Sequence, residues 1–298
     1  MKYTVTGGLG FIGSNIVKAL LKKNHDVTII DNVDLKTNQS IFILKDKISF
    51  FQEDIKNKNM IKEIIKDSEG VFHNAALIDV QESYLKKKEY FSVNVLGTKN
   101  IFETAKKIGI KVVYASSASI YGNTKIVPIK ENFKKNPTNP YGQTKLDCEN
   151  IAKTYSEQGL KNIGLRYFNV YGIGQTSSYA GVITKFVRQL KQGKPPIIFG
   201  NGSQIRDFIH VSDIAEANIS AMESNVESDF FNIGSGKPTS ILELARLMIK
   251  ISRFDLEPIF KKPVTGDVEL SMADINHAKK IKWQPKISLE EGLQKIIK

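Results

Sequence analysis

The chain has 298 residues, 41 % of them hydrophobic and 25 % charged, and a mean hydropathy of -0.23. This is the profile of a soluble enzyme with room for one large α/β domain and a smaller one. Its formal charge of +12 comes from 43 basic residues, 38 lysines and five arginines, scattered without an aromatic-studded basic stripe; this argues against nucleic-acid binding and suits an anionic small substrate. No run reaches the roughly 18 apolar residues of a membrane span. A single cysteine, Cys148, cannot form an internal disulfide and fits a reducing cytoplasm, where it reads as a small core-facing helix residue. With the first strand starting at residue 3, no room is left for a signal peptide.

Tyr3–Thr6 predicts a short strand that breaks into Gly7-Gly-Leu-Gly-Phe-Ile-Gly13. Ser14 then opens a helix with Ile16, Val17, Leu20 and Leu21 on one face, ended by Asn24-His25. Val27–Ile30 is a second strand, closed by Asp31, 18 residues after Gly13. Glycines at 7, 10 and 13 let a dinucleotide pyrophosphate approach backbone, and the helix start offers it free N–H groups. A carboxylate at Asp31 suits the adenosine ribose hydroxyls and repels a 2′-phosphate, so the expected cofactor is NAD rather than NADP. Further strands are expected at Ile48–Phe51, Gly70–His73, Val112–Ala115 and Asn162–Arg166. Helices are expected around Asn59–Ser68, over Lys86–Ile108 and from Tyr141 to about Gln158. This alternation predicts a Rossmann-type, doubly wound parallel sheet over residues 1–170. Beyond Gly172 the pattern loosens into shorter helices (Gly181–Gln192, Ser212–Glu223) and short strands, with capping boxes at Ser240/Glu243 and Ser288/Glu291. A smaller, mostly helical α/β substrate domain is expected over 171–298, with 212–236 returning to the large domain.

Tyr141 and Lys145 stand at i, i+4, on one helix face. Lowering a phenol pKa by about three units, toward a usable general base, takes about 4 kcal/mol, which a lysine and a positive nicotinamide together would supply. The spacing also occurs at Tyr84/Lys88 and Tyr121/Lys125. Only Tyr141 follows a strand-end serine cluster, Ala115-Ser-Ser-Ala-Ser119, and starts a helix after Pro140.

The glycine spacing Gly7-x-x-Gly10-x-x-Gly13 resembles that of short-chain dehydrogenases/reductases. Together with Asp31, Asp54-Ile55, Ala115–Gly122, Tyr141–Lys145, Leu165–Gly172, Phe199–Asp213, Asn232–Gly236, Gly266-Asp267 and Trp283-Gln-Pro285, it makes the whole chain similar to the extended branch of nucleotide-sugar epimerases and dehydratases. The resemblance implies Ser117 as the substrate-polarising hydroxyl, Tyr141 as base and Lys145 as its partner and a ribose contact. It implies a cofactor site from Gly7, Gly10, Phe11, Ile12, Gly13, Asp31, Asn32, Asp54, Ile55, Asn74, Ala75, Ala76 and Asn94, with Tyr167 and Phe168 by the nicotinamide. Asn169 and Arg206 would contact the diphosphate, Phe199 the uracil and Val182 the substrate through backbone, with Asp267 and Ser271 completing the substrate wall. No metal is implied. Dehydratases and decarboxylases carry an acid after the catalytic serine or threonine; Ser117-Ala118-Ser119 has none, which favours a UDP-hexose 4-epimerase with NAD regenerated every cycle. A uronate epimerase or a nucleotide-sugar reductase would share the Ser117, Tyr141, Lys145 triad. Two departures stand out: Val264 where a diphosphate-binding arginine is usual, leaving Lys261 or Lys262 to reach in, and Ile78 where relatives have a polar contact. The helices over Lys86–Ile108 and Tyr141–Gln158 match those that pair into a homodimer in the family.

Overall fold

The structure, a computed structural model, describes residues 1–175, 181–263 and 268–297. The first half alternates β1 (Lys2–Thr6), α1 (Phe11–Lys22), β2 (Asp26–Asp31), α2 (Gln39–Phe42), β3 (Ile48–Gln52), α3 (Lys58–Ile65) and β4 (Gly70–His73). Then come α4 (Val80–Leu85), α5 (Lys87–Tyr90), a π-helical segment (Phe91–Gly97), α6 (Thr98–Ile108), β5 (Lys111–Ser117), α7 (Pro140–Glu157) and β6 (Asn162–Tyr167). The second half carries β7 (Asn169–Tyr171), α8 (Val182–Leu190), β8 (Ile197–Phe199), β9 (Ile205–Arg206), β10 (Phe208–His210), α9 (Val211–Glu223), β11 (Ser228–Ile233), β12 (Thr239–Ser240), α10 (Ile241–Ser252), β13 (Ile259–Lys261) and α11 (Leu289–Ile297).

Seven strands form one parallel sheet in the order β11-β6-β5-β4-β1-β2-β3. Such a sheet is covered on both faces, which is why its central strands are nearly continuous apolar runs. On one face Ile16, Val17 and Leu20 of α1 pack with Ile214, Ala217 and Ile219 of α9; on the other, Ile61 and Ile65 of α3 pack with Phe102 of α6 and Cys148 and Ala152 of α7. Strand order reverses between β1 and β4, so the loops after those strands diverge and leave the crevice that binds ligands in open α/β sheets. A separate core of Ile183, Phe186, Leu190, Leu244, Met248 and Leu293 holds α8, α10 and α11 together, and the small two-stranded pairings β7–β10, β8–β13 and β9–β12 surround it.

The expected continuous helix over Lys86–Ile108 differs. Its first turn is the short helix α5, which follows the separate, Asp79-capped α4, and the remainder passes through the π-helical turn containing Asn94 before α6. The N-terminus of α1 is also earlier than Ser14: Gly10 is the N-cap and offers no side-chain cap.

Candidate active site

At the crevice, Gly7 ends β1 with φ +67°. A Cβ there would lie 2.7 Å from the Ala75 backbone nitrogen, and one on Gly13 would collide with the Gly7 carbonyl. The two strand ends and the first turn of α1 are therefore as close as backbone permits. Asp31 is buried at the end of β2 and its Oδ2 accepts from Leu9 N at 2.9 Å, tying down the glycine turn; burial pushes its pKa up and the backbone bonds oppose this. Asn32 is exposed beside it and Asp54 half-buried, its Oδ1 accepting from Lys56 N, with Ile55 buried underneath.

Asn74, next to Ala75 and Ala76 after β4, has both side-chain polar atoms buried without a partner. Buried amides are rarely left so. Together with the crowded glycines and the uncapped α1 start, this fits a polar, backbone-hugging dinucleotide such as NAD, which Gly7, Gly10, Phe11, Ile12, Gly13, Asp31 and Asn74–Ala76 would hold. Asn94 serves the site at one remove. Its Oδ1 accepts from Leu77 N (2.8 Å) and its Nδ2 donates to Leu77 O (2.9 Å) and Thr144 Oγ1 (3.0 Å), so it clamps the loop after β4 to α7.

Helix α7 begins where the sequence indicates: Asn139 caps it by accepting from Gly142 N at 2.8 Å, and Pro140 takes the first position. Tyr141 thus sits in the first turn. Gly142 permits the approach of the serine loop, since a Cβ there would be 2.9 Å from Ser119 O. The Ser117 side chain faces the Tyr141 phenol and favours its ionised form, and its Oγ accepts from Ser119 N at 3.2 Å. Lys145 follows one helical turn after Tyr141 and is buried. Its ammonium donates to Ala115 O at 2.9 Å and stands 6.0 Å from the centre of the Tyr141 ring. Burial pushes the phenol up to about 12, and it is Ser117, not Lys145, that opposes this. Burial likewise lowers the Lys145 pKa.

Ser117, Tyr141, Tyr167, Phe168, Asn169, Val182, Phe199, Arg206 and Ser271 all line one cavity of about 990 Å³ between the sheet edge and the second half of the chain. Phe199 is 44 % exposed, so it is a rim residue and not core packing. The Tyr167 hydroxyl is engaged by Asn218 of α9. Ile78 is exposed and does not line this cavity. Asp267 and Val264 lie outside the described residues. Lys261 lines the cavity and Lys262 does not. Sequence reading missed Lys185 and Arg188, which α8 also presents to the cavity; the spacing 182, 185, 188 and 189 on one helix face was the available signal. Among the described lining residues there are four cations (Lys185, Arg188, Arg206, Lys261) and no Asp or Glu. Among the described residues no His, Cys, Asp or Glu cluster suits a metal ion, and no helix is long and apolar enough to cross a membrane.

Residues 3–234 match the model of the NAD dependent epimerase/dehydratase family. A Methanocaldococcus jannaschii protein provisionally named UDP-glucose 4-epimerase is 40 % identical over 298 residues, covering 98 % of this chain and 96 % of that protein. The crystal structure of Thermotoga maritima UDP-glucose 4-epimerase with UDP-glucose superposes with a TM-score of 0.93 at 35 % identity, over 100 % of this chain and 97 % of that one. UDP-N-acetylglucosamine 4-epimerase from Methanobrevibacter ruminantium, in complex with UDP-N-acetylmuramic acid, does so with a TM-score of 0.93 at 36 % identity, over 99 % and 96 %. The family match over residues 3–234 and relatives at 35–40 % identity over nearly the whole chain agree with the glycine turn, serine loop and Tyr-Lys helix: this chain belongs to the NAD-dependent epimerase/dehydratase family of extended short-chain dehydrogenases.

Proposed function

We propose that the protein is a UDP-hexose 4-epimerase that interconverts UDP-glucose and UDP-galactose and also accepts the N-acetylated pair. Residues 1–170 and 212–236 form the NAD-binding unit, and the remainder of 171–298 holds the nucleotide sugar. The observation that carries this reading is the hydroxyl pair Ser117 and Tyr141 in a cavity wall without any described carboxylate. Dehydration and decarboxylation in this family use an acid beside the serine, and Ala118 and Ser119 offer none. NAD, held by the glycine turn and Asp31, would supply reversible hydride acceptance from sugar carbon four. Tyr141 takes the 4-hydroxyl proton and gives it back, while Ser117 holds the sugar oxygen. Lys145 binds the cofactor ribose and orients the strand end through Ala115. Arg206 and Asn169 anchor the diphosphate while the sugar turns over, and Phe199 covers the uracil.

The test is direct. The nucleotide released on denaturation is expected to be NAD, and the native enzyme is expected to convert UDP-glucose and UDP-N-acetylglucosamine to their 4-epimers. Release of NADP, or net product formed only with added NADPH, would favour a reductase. The wall's four cations favour one second reading, a UDP-glucuronate epimerase, whose substrate carries an extra carboxylate; UDP-glucuronate therefore belongs in the same assay. We also propose a homodimer through α4–α7, supported by Leu85, Phe91 and Leu96, which are large, apolar and exposed on consecutive helical segments.

A further inference from the structure

Directly behind the serine loop lies a buried polar network. Glu149 of α7 and Arg166 of β6 form a two-pronged ion pair, Nε to Oε1 and Nη2 to Oε2, each 2.8 Å, with exposures of 1 % and 2 %. Ser116 Oγ donates to the same Oε1 at 2.6 Å. Arg166 Nη1 donates to the Tyr121 hydroxyl at 2.7 Å and to Glu131 O at 2.9 Å. The Tyr121 hydroxyl donates onward to Asn232 Oδ1 at 2.7 Å, and Asn232 Nδ2 to Ile129 O at 2.9 Å. Ile129 pairs with the segment that carries Ser271, through Ile129 N to Met272 O and Asp274 N to Ile129 O.

Such a pair is a poor source of stability, because desolvating both ions offsets most of their attraction. Its place in the fold gives it another use. Ser116 precedes Ser117 on β5, and Glu149 follows Tyr141 on the same helix by eight residues, about 12 Å of rise. One carboxylate oxygen therefore joins the strand that carries the serine to the helix that carries the tyrosine. We infer that Glu149, held by Arg166, is a positioning residue: through Ser116 it sets the Ser117–Tyr141 contact. Towards the other end, Tyr121 and Asn232 tie the same pair to the wall near Ser271, a connection that bears on sugar binding and not on the phenol. The inference rests on the catalytic reading of Ser117 and Tyr141 above. The phenol is faced by Ser117 from β5 and by Lys145 and Cys148 from its own helix, so only the Ser117 contact passes through this network.

The experiment compares Ser116→Ala, Ser117→Ala, the double variant and Tyr121→Phe in the NAD-loaded enzyme. Ser116→Ala is expected to lower kcat at least about tenfold with KM within about twofold, and to move the low-pH limb of kcat to higher pH. In the Ser117→Ala background the same change is expected to cost less than about twofold, because its route of action is already gone. Tyr121→Phe is expected to leave the limb in place. An unchanged kcat and limb in Ser116→Ala, equal losses in both backgrounds, or the same limb shift in Tyr121→Phe would overturn the inference. Should Ser116→Ala not fold, Ser116→Cys keeps the volume, weakens the hydrogen bond and carries the same expectations. If Ser117→Ala alone leaves turnover intact, the catalytic reading is what fails. If no UDP-sugar is turned over, the proposed function falls, while the Cζ resonance of isotope-labelled Tyr141 still tests the positioning: its ionisation midpoint is expected to rise in Ser116→Ala, and no change overturns the claim.

Discussion

Tyr84, Tyr121 and Tyr141 share the lysine four residues on, and their surroundings separate the three. Tyr141→Phe is expected to retain NAD and lose about a thousandfold in turnover, as befits a general base. The Tyr84 hydroxyl reaches only Thr138 O from an exposed position, so Tyr84→Phe is expected to behave as wild type; equal losses at 84 and 141 in a steady-state assay would remove Tyr141 from its role. Tyr121 is buried between Arg166 and Asn232, and Tyr121→Phe is expected to cost about 1–2 kcal/mol in denaturant unfolding with a smaller loss of turnover than at 141. Ser271 borders the same cavity as Ser117 and Tyr141. A small residue there leaves space for an acetamido group, and Ser271→Tyr is expected to suppress turnover of the N-acetylated substrates at least tenfold while sparing the plain hexoses. Parallel losses on both substrates would refute that gatekeeper role.

At the scale of elements, what could be read from the chain depended on length. β1 to β6 come out within about two residues of their expected positions, because each is a compact apolar run between turn residues. β7 to β10, β12 and β13 span only two or three residues, too few for any periodicity. The π-helical turn at Phe91–Gly97 left no mark, since its flanks keep an ordinary helical pattern. Tyr141 stands in the first turn of α7 and on the cavity wall with Ser117, where position and spacing predict it, and both capping boxes formed: Glu243 N and Glu291 N each donate to the capping serine. The Ser116–Glu149–Arg166 network escaped notice because its members are local to nothing but the folded sheet. Phe91 and Leu96, exposed on the π-helical turn, carry the assembly prediction: light scattering at micromolar concentration is expected to give twice the 33.4 kDa chain mass, and Leu96→Glu to lower it. A monomeric wild type would rule the dimer out.

For the whole molecule, acid is the informative stress. His73 is buried between Thr6 and Thr98, with Thr98 donating to Asn94 O and so accepting from the ring; burial pushes its pKa from 6.5 to about 3. The unfolded chain therefore takes up a proton that the folded one refuses. The resulting stability is complete above pH 6.5 and is lost as pH falls toward 3, by a few kcal/mol in order of magnitude. Thermal unfolding between pH 7.5 and 4.5 is expected to show this slope, and His73→Leu, weaker at pH 7.5, a flatter one; matching slopes would mean that other groups govern the acid response. The edge of the main sheet has a consequence for synthesis. β6 ends at Tyr167, but the strand that covers it, β11, ends at Ile233. At about 5–20 residues per second the ribosome needs roughly 3–13 seconds to supply those residues. Through that interval the nascent chain offers an open strand edge whose six residues are all buried in the finished fold, just the template on which a neighbouring chain pairs, so a slow translation step between residues 167 and 233 would lower the soluble yield while leaving the finished enzyme unaltered.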